Sequence, residues 1–229
     1  MFFNETRDAK KKSISFIKDN HGLLNELKEK GIFSKNILDS IKKVPRELFV
    51  NKTSIQLAYE NIALPADCGQ TISQPYVIAY MIDCLKLKKT DVVLEIGTGT
   101  GYQTAIISYL CKKIYTIEMF SKLFNKAKFN IEKLKIKNVI HILGNGVRGW
   151  KEKEFFDAII ISAASKKIPL PLLQNLKIKG KLIYPKKYPL LNNQKLILLK
   201  KKDENNFEEN KLFDVKFVPL LKRNTENYE

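Results

Sequence analysis

Cysteine and histidine are scarce in this 229-residue chain, which holds three of the first and two of the second. Cys68, Cys84 and Cys111 are odd in number and match no C-x-x-C spacing, so a disulfide framework is not expected, and free thiols in a reducing compartment are. With His21 and His141 as the only histidines, a zinc site lacks ligands, and no metal is expected. No apolar run approaches eighteen residues, and Met1-Phe2-Phe3-Asn4-Glu5 shows no positive segment leading into a hydrophobic one. The expectation is a cytoplasmic chain with no membrane span. Arginine is rare too: Arg7, Arg46, Arg148 and Arg223 are four of 41 basic residues. The net charge of +17 therefore rests on scattered lysine, which lacks the bidentate fork of a base- or phosphate-reading surface. It reads as a solvated surface whose positive field attracts anions in a salt-dependent way, without a specific nucleic-acid partner.

What the chain does have is a strand, a glycine turn and a helix in succession. Asp91-Val92-Val93-Leu94-Glu95-Ile96 is β-branched and aliphatic, Gly97-Thr98-Gly99-Thr100-Gly101 alternates glycine, and Tyr102 to Leu110 follows with helical periodicity. Alternating glycines let a backbone approach a ligand and supply positive φ where the turn needs it. The next strand, Lys113 to Ile117, runs into Glu118, a carboxylate placed to accept from the two hydroxyls of a ribose. The third glycine comes one residue too early for the dinucleotide fingerprint G-x-G-x-x-G, and no Gly-Lys-Ser/Thr follows, which excludes a P-loop. The pattern Glu95-x-Gly97-x-Gly99-x-Gly101 resembles motif I of the class I S-adenosylmethionine methyltransferases. That resemblance implies that Glu95 lies toward the methionine end of the cofactor and Glu118 on its ribose, with Thr98 and Met119 beside them.

Taken in order, residues 8 to 30 have helical apolar spacing at Ile14, Ile17, Leu23, Leu24 and Leu27, closed by Gly31. A second helix is expected from an N-cap at Ser34, with Ile37, Leu38 and Ile41 on one face and Pro45 as its stop. Both precede the first strand of the cofactor domain and so read as a cap. Gly69-Gln70-Thr71-Ile72-Ser73-Gln74-Pro75 leads into a helix over Tyr76 to Leu85, for which Thr71 or Ser73 is the expected N-cap. After Glu118 come an amphipathic helix through Leu134, a strand over Val139 to Leu143 and the turn Gly144-Asn145-Gly146. A fourth strand is read over Phe156 to Ile161, a helix over Ile168 to Leu176 and a fifth strand over Gly180 to Pro185. A closing hairpin is read over residues 194 to 200 and 211 to 218, split by the charged loop Lys201 to Asn210. The expected division is a helical cap and substrate-side loop over 1–75, a methyltransferase domain over 76–223 and a disordered tail over 224–229.

Five blocks, VPRELFV, NIALP, GQTISQP, VLEIGTGTGYQTA and FDAIIISAA, stand in this order over about residues 20 to 222 and resemble the protein-L-isoaspartate O-methyltransferases. The resemblance implies an α/β fold, a Rossmann-like three-layer sandwich around a mostly parallel seven-stranded sheet. It implies transfer of a methyl from S-adenosylmethionine, leaving S-adenosylhomocysteine, to the free carboxylate of L-isoaspartyl and D-aspartyl residues in damaged proteins, with repair through a succinimide. Ser73 is the implied catalytic residue, aiming the acceptor carboxylate, with Thr71 and Ile72 closing the site and Gly144 and Asn145 meeting the adenine. The partners implied are isoaspartyl peptides and proteins, and the chain is read as a monomer.

Two departures from the family pattern stand out. Asn145 replaces the usual aspartate, and Lys179-Gly180 and Pro185-Lys186-Lys187 replace a Gly-Gly pair and a Pro-x-Gly turn. They leave open a relative that acts on another carboxylate or that only binds the cofactor, and the positive charge leaves open one that acts on nucleic acid. Against nucleic acid, Ser162-Ala163-Ala164-Ser165 stands where an amine methyltransferase has Asn/Asp-Pro-Pro-Tyr/Phe, and no Pro-Cys occurs for pyrimidine C5 chemistry.

Overall fold

The computed structural model describes residues 20–150, 155–191 and 193–221. The part of the first helix read over residues 8–19, and the tail over 224–229, lie outside the described residues.

Strands and helices alternate, so helices cover both faces of a parallel sheet. Strand β1 (Leu64–Pro65) and strand β2 (Thr71–Ile72) form a small antiparallel pair ahead of the main sheet. The main sheet has seven strands: β3 (Val92–Ile96), β4 (Lys113–Glu118), β5 (Val139–Leu143), β6 (Phe156–Ile161), β7 (Leu176–Tyr188), β8 (Asn193–Lys201) and β9 (Phe207–Asp214). Their spatial order is β5-β4-β3-β6-β7-β8-β9, parallel as far as β7 and antiparallel beyond it. The chain reverses direction of travel across the sheet at β3, and in open sheets a ligand crevice forms at that switch point.

Helix α1, described over residues 20–29, and α2 (Lys35–Lys43) pack through Leu23, Leu27, Ile37 and Ile41. They share one continuous core with Ile78 and Ile82 of α3 (Pro75–Leu85) and with Ile106 and Ile107 of α4 (Tyr102–Ser108). Helix α5 (Ser121–Lys133) and the short α6 (Leu170–Gln174) complete the set. The other face of the sheet buries Leu94, Ile96, Ile159, Ile161 and Leu182.

Several expected boundaries are corrected. Ser34 sits at the N-cap of α2, but its side chain makes no capping bond. Neither Thr71 nor Ser73 caps α3; the N-cap is Gln74, because Thr71 and Ile72 are committed to pairing with β1. The cap bond comes instead from Asn61, whose Oδ1 accepts from Tyr76 N at 2.9 Å. Helix α6 is shorter than read, since Pro169 and Pro171 hold its start and Asn175 closes it. β7 begins at Leu176 rather than Gly180, with the four residues Lys177 to Gly180 standing between its pairings to Phe156 and Ala158. In the hairpin β9 begins at Phe207, and Lys201, read as the start of a loop, closes β8 with its side chain buried. Its ammonium donates to Leu176 O at 2.9 Å and pairs with Glu204.

Candidate active site

The strand tips at the switch point are tied together by backbone. Gly97 N donates to Ile117 O at 2.9 Å, and Ser162 N donates to Ile96 O at 2.9 Å. Gly144 N in turn donates to Glu118 O at 2.8 Å. Above these tips opens a cavity of about 890 Å³, the open solvent at its mouth included. One wall is the run Gln70 to Ser73, the floor is Gly97 to Thr100, and the far wall is Glu118 to Phe120 with Gly144 to Gly146.

Glu118 lies in that far wall, 5% exposed. Its Oε1 accepts from Met119 N at 2.8 Å and Phe120 N at 3.0 Å, while its Oε2 accepts from Gly99 N at 2.8 Å. Burial pushes this carboxyl above its ordinary value, and the three amides pull it back toward the charged form. The carboxylate thereby fixes the glycine loop as well as facing the cavity. Gly99 has φ of +58° and nothing within 4 Å of the place a Cβ would occupy, so the loop leaves room for a ligand against its backbone. Thr98 lines the cavity and shares a 2.6 Å hydroxyl contact with Thr116.

Two residues expected at the cofactor do not line the cavity. Glu95 is wholly buried behind the loop, accepting from Thr116 Oγ1 at 2.6 Å, from Thr104 Oγ1, and from Gln103 Nε2 at 2.9 Å. Desolvation raises its carboxyl to about 7 despite those three donors. Gly101 does not line it either. It is the N-cap of α4 at φ +93°, and a Cβ there would stand 3.3 Å from Ala127 of α5, so its smallness serves helix packing.

Asn145 lines the cavity, but its Oδ1 also accepts from Val147 N at 3.0 Å and caps the turn Gly146–Arg148. The side chain is therefore held by its own loop.

Ser73 is half-buried and Thr71 exposed, and both belong to a second feature as well. An open cleft of about 1220 Å³, solvent space included, is lined by Ile62, Tyr76, Val77, Phe213 and Phe217. Thr71 and Ser73 are the residues common to the cavity and the cleft, while Ile72 points into the cavity wall and is buried. The N-terminus of α3 offers fewer donors than expected, because Pro75 has no N–H and the Tyr76 amide is taken by Asn61.

The loop before this wall is clasped to α5. Asp67 pairs with Lys122 at 2.7 Å and Lys126 at 3.0 Å, and Lys126 also donates to Asn51 Oδ1 at 2.7 Å. These contacts hold the Asp67 carboxyl below its usual value, the two lysine hydrogen bonds being the main cause.

Residues not counted among the expected site residues complete the cavity. Gln103 lines it and donates to Ser162 Oγ at 2.9 Å as well as to Glu95. Its place in the first turn of the helix after a glycine loop was the available signal. Val218 and Leu220 also line it, because Ala164 N donates to Val218 O at 2.7 Å and Leu220 N to Ala164 O at 2.8 Å. Nothing in a single sequence announces that pairing between residues so far apart.

Comparison with known proteins agrees with this geometry. The model of the family "Protein-L-isoaspartate(D-aspartate) O-methyltransferase (PCMT)" matches residues 18–225. A protein-L-isoaspartate O-methyltransferase of Flavobacterium psychrophilum is 43% identical over 199 residues, covering 87% of this chain and 92% of the relative. One from Dictyoglomus turgidum is 47% identical over 198 residues, covering 86% and 89%. A solved protein-L-isoaspartate O-methyltransferase superposes with a TM-score of 0.81 at 31% identity, covering 87% of this chain and 65% of that longer one. A putative family member from Plasmodium falciparum, solved with S-adenosyl-L-homocysteine, gives 0.76 at 27% identity, covering 88% and 98%.

Proposed function

The chain belongs to the protein-L-isoaspartate(D-aspartate) O-methyltransferase family, and from that premise we propose how its cavity and its cleft divide the reaction. The protein is an S-adenosylmethionine-dependent protein carboxyl O-methyltransferase acting on L-isoaspartyl residues of damaged proteins. The cofactor occupies the cavity and the isoaspartyl peptide the cleft. The observation that carries this division is that Thr71 and Ser73 line both.

The residues present fit the cofactor. Gly99 leaves open space over the loop, Glu118 offers a buried acceptor to the ribose, and Asn145 stands at the far end for the adenine. When bound, S-adenosylmethionine supplies a methyl already activated on a sulfonium, and the electron pair of the broken bond stays on sulfur. An isoaspartyl α-carboxylate is anionic at pH 7, so the chain needs no strong general base. No histidine lines either the cavity or the cleft, in keeping with that. The chain's task is to orient: Ser73 donates its hydroxyl to the acceptor carboxylate and aims it through the shared wall. Such orientation can supply about 7–11 kcal/mol in well-ordered systems. Glu95 acts from behind, holding Gln103 at the cavity floor, and Thr71, Ile72 and Met119 close the sides.

The same reading makes residues 1–75 a cap that carries the acceptor-side wall and residues 76–223 the cofactor domain. It takes the enzyme as a monomer, and as cytoplasmic because the cysteines are free. Among the described residues no helix is long and apolar enough to cross a membrane. Incubation with methyl-labelled S-adenosylmethionine and matched isoaspartyl and aspartyl peptides tests the reading. Selective labelling of the isoaspartyl peptide supports it, and equal labelling or none overturns it.

A further inference from the structure

Arg46 has no accessible surface, yet it makes no ion pair among the described residues. Its guanidinium spends itself on four carbonyl oxygens. Nη1 donates to Ala58 O at 2.8 Å and Glu60 O at 2.9 Å, and Nη2 to Ile62 O at 3.0 Å and Ser73 O at 3.2 Å. Three of these lie on one turn, and the fourth is on Ser73, which lines both the cofactor cavity and the cleft. The guanidinium carbon stands 5.6 Å from the centre of the Tyr102 ring, which itself lines the cavity.

A buried cation without a carboxylate is costly, and packing alone would be served better by an apolar side chain of similar volume. What an apolar residue cannot do is span the two segments. The planar fork reaches oxygens in two directions at once, which the single ammonium of lysine does not. The turn that Arg46 grips also holds the far side of Ser73: Asn61 O accepts from Gln74 Nε2 at 2.7 Å, and Asn61 Oδ1 accepts from Tyr76 N. Ser73 is thus suspended between two anchors that share one base.

We propose that Arg46 is a positioning residue for methyl transfer: it ties the 58–62 turn to the Ser73 carbonyl and so sets where the Ser73 hydroxyl meets the acceptor carboxylate. The inference rests on the reading of Ser73 as the acceptor-aiming residue. A merely structural arginine would weaken the fold evenly. A positioning one acts through Ser73 and has nothing to act on when that hydroxyl is gone.

A double-mutant cycle of Arg46→Lys and Ser73→Ala separates these roles. Its readouts are kcat/KM on an isoaspartyl peptide, the cofactor Kd by calorimetry and the Tm. Ser73→Ala alone should lose at least tenfold in kcat/KM. Arg46→Lys should lose at least fivefold with Ser73 present and less than twofold in the Ser73→Ala background, with the cofactor Kd moving less than twofold. Equal losses in both backgrounds, no loss with Arg46→Lys, or a cofactor Kd weakened by the same factor would overturn the role of Arg46 while leaving Ser73 standing. Full activity of Ser73→Ala would overturn both. If the lysine variant does not fold, Arg46→Gln takes its place in the cycle. Failure of both to fold overturns the inference, since Arg46 is then needed by the fold as a whole.

Discussion

The Gln103 amide donates to Glu95 Oε1 and to Ser162 Oγ, each at 2.9 Å, so a wholly buried acid at the end of one strand sets the floor of a cavity it never reaches. Its environment makes the consequence measurable.

The Glu95 carboxyl sits at about 7 in the fold against an ordinary 4.5, with burial as the leading cause. Between those two values the folded protein holds a proton that the unfolded chain has released. Stability therefore falls as pH rises through this window and levels off above it. The span corresponds to a change on the order of 3 kcal/mol. Glu95→Gln should flatten that part of the profile, read from denaturant midpoints between pH 4.5 and 7.5. An unchanged slope would remove Glu95 as its source.

Ser73→Ala should slow methylation of an isoaspartyl peptide at least about tenfold, the loss of one hydrogen bond to a charged group being worth about 1.5–3 kcal/mol. Ser73 is half-buried and caps no helix, so the Tm should hardly move. Unchanged turnover takes Ser73 out of the mechanism.

Asn145→Asp should tighten the cofactor. The carboxylate can keep the cap bond to Val147 N while presenting charge to the cavity, a gain of about 1 kcal/mol, or roughly fivefold in Kd. A calorimetric titration showing no gain would mean that the loop bond, rather than the ligand, governs this position.

Lys179 occupies the left-handed region at φ +69°, immediately before Gly180, whose own Cβ would lie 2.7 Å from Lys177 O. The family's usual glycine at this place has a physical reason. Lys179→Gly should stabilise by about 0.5–1 kcal/mol, the strain relieved outweighing the added freedom of the unfolded chain. That is roughly 2–4 °C in Tm for each kcal/mol at this size. Lys179→Ala keeps the strain and should show no gain; equal gains from both would refute the backbone argument.

Asp67→Asn should loosen the loop ahead of Gln70–Ser73 from α5, the two sides that flank the cavity. The pairs are partly exposed, so the Tm should change little. Stopped-flow release of S-adenosylhomocysteine should quicken about threefold, and raised salt should bring the wild type toward the variant. Equal release rates at low salt would show that the clasp does not control exit.

Most of the cofactor half was legible in the chain, because its signals are local. Val92 to Gly101 needs a buried strand and a tight turn, and the period of the apolar residues and the glycines state both. Val139–Leu143 and Phe156–Ile161 were readable for the same reason. The N-cap of α3 was not, since the acceptor for Tyr76 N is Asn61 from another segment and Thr71 is drawn into strand β2. The start of β7 escaped too, because Lys177 to Gly180 bulge out of register and carry no alternation to read.

The sequence by itself determined the parallel sheet, the cofactor loop, Glu118 and the block containing Ser73, through periodicity and residue chemistry that act over a few positions. Only the tertiary structure decided that Glu95 and Gly101 stand behind the site, that Thr71 and Ser73 line both a cavity and a cleft, and that a buried arginine spans 27 residues to reach Ser73. Those outcomes depend on which segments meet after the core closes, and a hydrogen-bond partner chosen across the fold leaves no pattern in the residues beside it.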